Sequence, residues 1–168
     1  SFTRTSEIYI GSDEAAEVNL TALQWIDAPP PWNQGIIRGG PSIKQRGKKK
    51  LPNPKKFSGY WAVNVDKAGS YIFELRRWPK ESGLKILEGT SANLSKFDCL
   101  PSYSAVAGTA LPISFATLRI NGEEIEKKSV RESDESIKFT HKLNEASYKF
   151  SPFFTIQIKD MEHEIGCY

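Results

Sequence analysis

Apolar positions alternate with polar ones along most of this chain, and the spacing of an amphipathic helix is nearly absent. Trp61, Val63 and Val65 alternate with Ala62 and Asn64; after Asp66-Lys67-Ala68-Gly69, Tyr71, Phe73 and Leu75 alternate in turn. Two such runs joined by a short turn ending in Gly predict a β-hairpin. A second hairpin is predicted around Asn121-Gly122, with Ala116–Ile120 leading in and Glu123–Val130 leading out. A type I′ turn needs positive φ at both central residues, and Asn-Gly supplies them. Beyond Arg131–Ser136, the residues Ile137, Phe139, His141 and Leu143 share one face, and Lys138, Thr140 and Lys142 share the other. That pattern predicts a strand with one packed and one wet face. Tyr148–Phe150 and Phe153–Ile158 read as further strands, with weaker patterns at Ile8–Ile10, Val18–Leu23 and Lys85–Leu87. Only Asp13–Glu17 invites a helical turn.

Many short strands with turn signals between them predict an all-β domain, a jelly-roll β-sandwich of two antiparallel sheets. A length of 168 residues fits one domain, 1–168, and is enough to bury a core. The apolar share of 39% and charged share of 26% are ordinary for a soluble globular protein, and no apolar run approaches a membrane span. No signal-peptide pattern opens the chain, and the start at Ser1 without an initiator Met reads as a fragment or a processed product. Cys99 and Cys167 are too few for a disulfide framework and too far apart for a zinc knuckle or a Cys-x-x-Cys motif. They are either one disulfide or two buried thiols.

Charge changes this picture in one place. Lys44, Arg46, Lys48, Lys49, Lys50, Lys55 and Lys56 fall within Lys44–Lys56 with no acid among them. They are seven of the 23 basic residues, so the rest of the chain sets 16 basic against 20 acidic residues, a net −4 beside the overall +3. Basicity belongs to one stretch, which is either a polyanion contact or a solvated insertion shaped by Pro41, Gly47, Pro52 and Pro54. It has no aromatic before Phe57 and so lacks the stacking surface of a nucleic-acid site. No nucleic-acid partner is expected. Thr90–Pro112 is the other long irregular stretch, poor in charge, and reads either as packed against a partner or as an irregular strand.

Titratable groups for catalysis are few. His141 lies in the apolar phase of its strand, which suits a core or interface residue better than a ligand. His163 sits in the acidic run Asp160–Glu164, read as a carboxylate-rich turn, but the spacing matches no EF-hand loop. No phosphate loop, nucleophile elbow or two-histidine metal spacing is present. No catalytic or metal-ligating residue is assigned. Trp61 is in phase with Val63 and Val65 and so belongs to the core. Trp25 and Trp32 flank Pro29-Pro30-Pro31, with Asn33 and Gln34 following, and Arg76-Arg77-Trp78-Pro79 closes another strand. Flat rings beside amides and arginines suit a sugar or a sulfate group. Trp32, Asn33, Arg76, Arg77 and Trp78 are therefore candidate glycan or sulfate contacts, although Trp at a strand end also caps sandwich cores.

A series of segments carries a family likeness. Pro31-Trp32-Asn33-Gln34-Gly35, Trp61–Val65, Ala68-Gly69-Ser70-Tyr71, Leu75-Arg76-Arg77-Trp78-Pro79-Lys80-Glu81, Ala116–Ile120, Ile137–Thr140 and Ile165–Tyr168 come in that order. In this order the chain resembles the β-sandwich domain appended to the C-terminus of bacterial formylglycine-dependent sulfatases of the arylsulfatase or N-acetylgalactosamine-6-sulfatase type. The resemblance spans nearly the whole chain, and Leu75–Pro79 is its most specific part; the hairpin signature is shared more loosely with galactose-binding-like jelly rolls. It implies a non-catalytic accessory domain that packs on a catalytic sulfatase domain in cis. The parent would hydrolyse sulfate esters in the periplasm or outside the cell, with sulfated carbohydrate as a partner. Formylglycine and calcium would belong to the absent catalytic domain. Cys99-Leu100-Pro101-Ser102 imitates the formylglycine motif, but Tyr103 stands where its Arg belongs, and no Asp-Asp pair precedes it. Similar domains run a few residues past the position of Tyr168, so the resemblance implies a truncated final strand. Two readings stand beside it: an independent carbohydrate-binding module, and a polyanion-binding module working through Lys44–Lys56.

Overall fold

A computed structural model of the chain describes residues 7–13, 16–27, 56–90, 108–158 and 160–167. The described chain is all-β, as the alternation predicts. Its ten strands are connected by turns and two single-turn 3-10 helices, Ala22–Gln24 and Lys80–Ser82. The strands are β1 (Ile8–Ile10), β2 (Lys56–Phe57), β3 (Trp61–Val65), β4 (Gly69–Leu75) and β5 (Ile113–Ile120). They continue with β6 (Glu123–Ser129), β7 (Ile137–Leu143), β8 (Ala146–Phe150), β9 (Phe153–Ile158) and β10 (Met161–Gly166).

Eight strands form one sheet in the order β1-β3-β8-β5-β9-β10-β2, with β6 pairing β5 beside that path, and β4 and β7 form a two-stranded second sheet. The large sheet is mixed rather than purely antiparallel, because β1 runs parallel to β3 and β2 parallel to β10. Parallel neighbours need long connections, and residues 11–60 between β1 and β3 provide one. Only residues 58–60 separate β2 from β3, so the sheet must curl to bring its β10 end back toward β8. The two sheets share one core. Val63, Val65, Leu118, Phe150, Phe154 and Ile156 of the large sheet pack with Leu75, Ile137, Phe139 and Leu143 of the small one. Phe73 meets Phe150 edge to face across the interface, with ring centroids 5.1 Å apart.

The Asn121-Gly122 hairpin joins β5 and β6 as predicted, with φ of 51° and 85° at the two turn residues. A bulge at Leu118/Arg119 shifts its register. The first predicted hairpin is different. β3 pairs with β1 and β8 while β4 pairs with β7, so residues 66–68 form a corner between sheets and not a hairpin loop. Both runs do turn an apolar face inward, but toward each other across the core. The Tyr71 hydroxyl donates to the Lys67 carbonyl, and the Asp66 amide to the Ile10 carbonyl, which pins the corner. Strands at Ile8–Ile10, Tyr148–Phe150 and Phe153–Ile158 are present as read. Val18–Leu23 forms no strand and runs instead into the first 3-10 turn, where the Thr21 amide donates to Gln24 Oε1 at 2.9 Å. Lys85–Leu87 also lies outside any strand. The acidic run read as a turn is strand β10 from Met161 onward, with His163 buried on its inner face and Cys167 a buried free thiol beyond it. Burial pushes that thiol's pKa up. His141 is half-buried in β7, on the packed side, as its phase predicts.

Candidate functional site

Arg76, Arg77 and Trp78 follow β4 directly, and the structure divides their roles. Strand alternation turns Arg77 inward with 0% exposure. Its guanidinium donates to the carbonyls of Ile86 (3.2 Å), Glu88 (3.0 Å) and Thr109. Trp78 is buried beside it, 4.5 Å from the guanidinium to the ring centroid, and its indole N–H donates to the Glu88 carbonyl at 3.0 Å. The Trp78 ring also covers Gly108 so closely that no Cβ would fit there. These two residues clasp Lys85–Thr90 against 108–111, and the Thr90–Gly108 bridge closes the junction. Burial lowers the Arg77 pKa to about 10, so the guanidinium stays charged at neutral pH. Moving such a charge out of water costs several kcal/mol, and about 1.5–3 kcal/mol per charge-assisted hydrogen bond offsets it. The clasp fixes backbone more than it adds stability.

Arg76 points the other way and pairs with Glu74 at 2.6 Å. Burial acts to raise the Glu74 carboxyl, but hydrogen bonds from Ser136 and Arg76 and the charges of Arg76 and Lys138 outweigh it and hold its pKa below the ordinary value. Among the candidate contacts, then, Arg77 and Trp78 are engaged with the chain itself, and Arg76 lies at the surface of the small sheet. Trp32, Asn33, Lys44, Arg46, Lys48, Lys49, Lys50 and Lys55 lie outside the described residues, and Lys56 is described only as the first residue of β2. The Cys99 motif and most of Thr90–Pro112 also lie outside them. Trp25 and Trp61 are core residues in edge contact at 6.1 Å.

A concavity that the sequence did not point to lies on the solvent face of β3 and β8. It measures about 560 Å³, a size that suits a small ligand. Ala62 sits opposite Lys149 in the ladder, and its methyl leaves open what a longer side chain would fill. Gln24 and Ile26 from the 3-10 turn and the bridge to Tyr60 wall one side, and Asn121 from the hairpin turn the other. Three amide side chains therefore meet there, each with its oxygen already held. Ser147 Oγ donates to Asn64 Oδ1, the Thr21 amide to Gln24 Oε1, and the Lys149 amide to Asn121 Oδ1 at 2.8 Å. Fixed oxygens leave the amide nitrogens as the groups on offer. Among the described residues those of Gln24 and Asn121 donate to nothing. The Lys149 ammonium stands 5.1 Å over the Tyr60 ring at the rim. The groove thus offers neutral donors, one cation, the Glu7 carboxylate and an apolar contact at Ile26. Its members come from five separated places in the chain, and no local motif marks them.

Among the described residues no helix is long and apolar enough to cross a membrane. No protein-family model, no curated protein and no solved structure matches this chain.

Proposed function

We propose that this chain is the non-catalytic accessory domain of a formylglycine-dependent sulfatase, a jelly-roll sandwich that holds carbohydrate in the β3–β8 groove. The observation that carries the reading is the groove itself: held amide oxygens, free amide N–H groups and an apolar patch are the means by which a protein grips hydroxyl-rich rings. The link to a sulfatase comes from the ordered segments of the sequence. Its most specific one, Leu75–Pro79, forms a clasp within the fold, which is the role expected where a likeness concerns a scaffold and not a catalytic centre. In this reading the catalytic domain in cis carries formylglycine and calcium, works in the periplasm or outside the cell, and receives sulfated carbohydrate.

Binding of the chain to an array of neutral and sulfated oligosaccharides, at two salt concentrations, tests this. Salt-tolerant binding is expected, and Gln24→Ala or the groove-filling Ala62→Tyr should weaken it about tenfold or more. Binding that Ala62→Tyr leaves intact, or no binding, would overturn the groove. The chain alone should turn over no aryl sulfate after treatment with formylglycine-generating enzyme; turnover that depends on Cys99 would sink the accessory role.

A further inference from the structure

A second concavity, of about 530 Å³, lies where the two sheets adjoin. β6 pairs only with β5 and β7 only with β4 among the described residues, so their facing edges share no ladder. One side chain ties them: Lys128 Nζ donates to the Lys138 carbonyl at 2.8 Å and stands 5.0 Å over the Phe139 ring. Lys127, Lys128, Arg131 and Lys138 all line this cleft, together with Ser129, Ser136, Ile137 and, among the described residues, a single acid, Asp134. Asp134 is engaged in the turn, where its Oδ2 accepts from the Arg131 amide at 2.8 Å. Two of the four cations have carboxylate partners at the rim, Lys128 with Glu126 at 3.2 Å and Lys138 with Glu74 at 3.8 Å. Lys127 and Arg131 have none among the described residues, and Lys127 Nζ lies 4.3 Å over the Phe115 ring. Glu132 and Glu135 are exposed on the same loop without lining the cleft.

We propose that this cleft is an oxyanion site, taking the tetrahedral sulfate or phosphate group of a ligand between β6 and β7. Edge strands use lysine to repel other strands, and scattered lysines would satisfy that need. Here four positively charged residues instead line one hollow, from two sheets and the loop joining them, and they include an arginine, whose planar fork matches such an anion. Nucleic acid fits less well, because among the described residues no aromatic ring lines the cleft to offer a base a stacking face.

Titration of the full chain with inorganic sulfate, inorganic phosphate and chloride at fixed ionic strength, read by amide chemical shifts, tests the site. Sulfate or phosphate should give saturable shifts confined to residues 127–138, and chloride none. Arg131→Gln and Lys127→Gln, both at exposed positions, should each weaken binding about tenfold, while Lys142→Gln farther along β7 should leave it unchanged. A sulfated oligosaccharide that binds at these residues more tightly than inorganic sulfate identifies an ester-bearing sugar as the source; equal or weaker binding identifies the free anion. Shifts that never saturate, or weakening by Lys142→Gln as large as by Arg131→Gln, would reduce the cleft to diffuse charge and overturn the proposal. So would tighter binding of a single-stranded oligonucleotide with shifts spread beyond the cleft. The variants leave the β3–β8 groove untouched, so loss of one site is distinguishable from loss of the other.

Discussion

At the residue scale the sharpest contrast is between Arg76 and Arg77, adjacent in sequence and opposite in environment. The sequence marks both as planar forks fit for an anion, and nothing in their spacing to Trp78 separates them. Strand phase does. Leu75 is buried and so is Arg77, whose three carbonyl partners are ten or more residues away in two cases. Those partners are set by how 85–90 and 108–111 are brought together, which no local pattern reveals. Arg77→Met keeps the apolar stem but leaves the Ile86 and Thr109 carbonyls without their Arg77 donor, while the Glu88 carbonyl keeps the Trp78 indole. It should cost about 3–5 kcal/mol, since a buried network that loses one member exposes the desolvation penalty of the rest. Urea unfolding monitored by tryptophan fluorescence reads this directly, and a loss below about 1 kcal/mol would show that the clasp is dispensable.

At the scale of elements, legibility follows how local the information is. Alternation identified β7, β8 and β9, and the Asn-Gly pair identified the β5–β6 hairpin, because each signal is complete within a few residues. Gly122 takes φ of 85° and has open space where a methyl would stand, so the only obstacle to a side chain there is backbone strain. Gly122→Ala should therefore destabilise the chain by about 1 kcal/mol without disturbing any packing contact. Thermal unfolding checks it, and a neutral result would mean the turn relaxes to another type. Alternation cannot say which strand a strand will pair with. That is why β3 and β4 read as a hairpin when they are opposite walls of the core. β10 was hidden for a related reason: Met161, Glu162 and Glu164 look like a turn, and it is pairing with the apolar β9 that makes them a strand. The β3–β8 groove and the β6–β7 cleft are more distant still, being assembled from places that only the folded sheet order brings together.

For the whole molecule, the inequality of the two sheets has an energetic consequence. A two-stranded ribbon is marginal by itself in water. β4 and β7 therefore owe their order to the face they bury: Leu75, Ile137, Phe139 and Leu143 within, and Phe73 at the margin against Phe150. Their outer face is polar except for Ile72, which is 71% exposed and contributes nothing to that burial. Truncating Phe73 removes an aromatic contact between sheets while leaving the β4–β7 ladder intact. Phe73→Ala should cost about 2–3 kcal/mol, toward the low end for a Phe because the ring is only half-buried. Hydrogen exchange should then show where the loss falls. Amides of β4 and β7 should lose protection well before those of β5, β8 and β9, since local openings draw on the elements with least buried surface. The cleft between β6 and β7 would open with them, because one of its walls is the small sheet. A uniform loss of protection across all strands would instead mean that both sheets open as one cooperative unit, and that the cleft is as rigid as the core behind it.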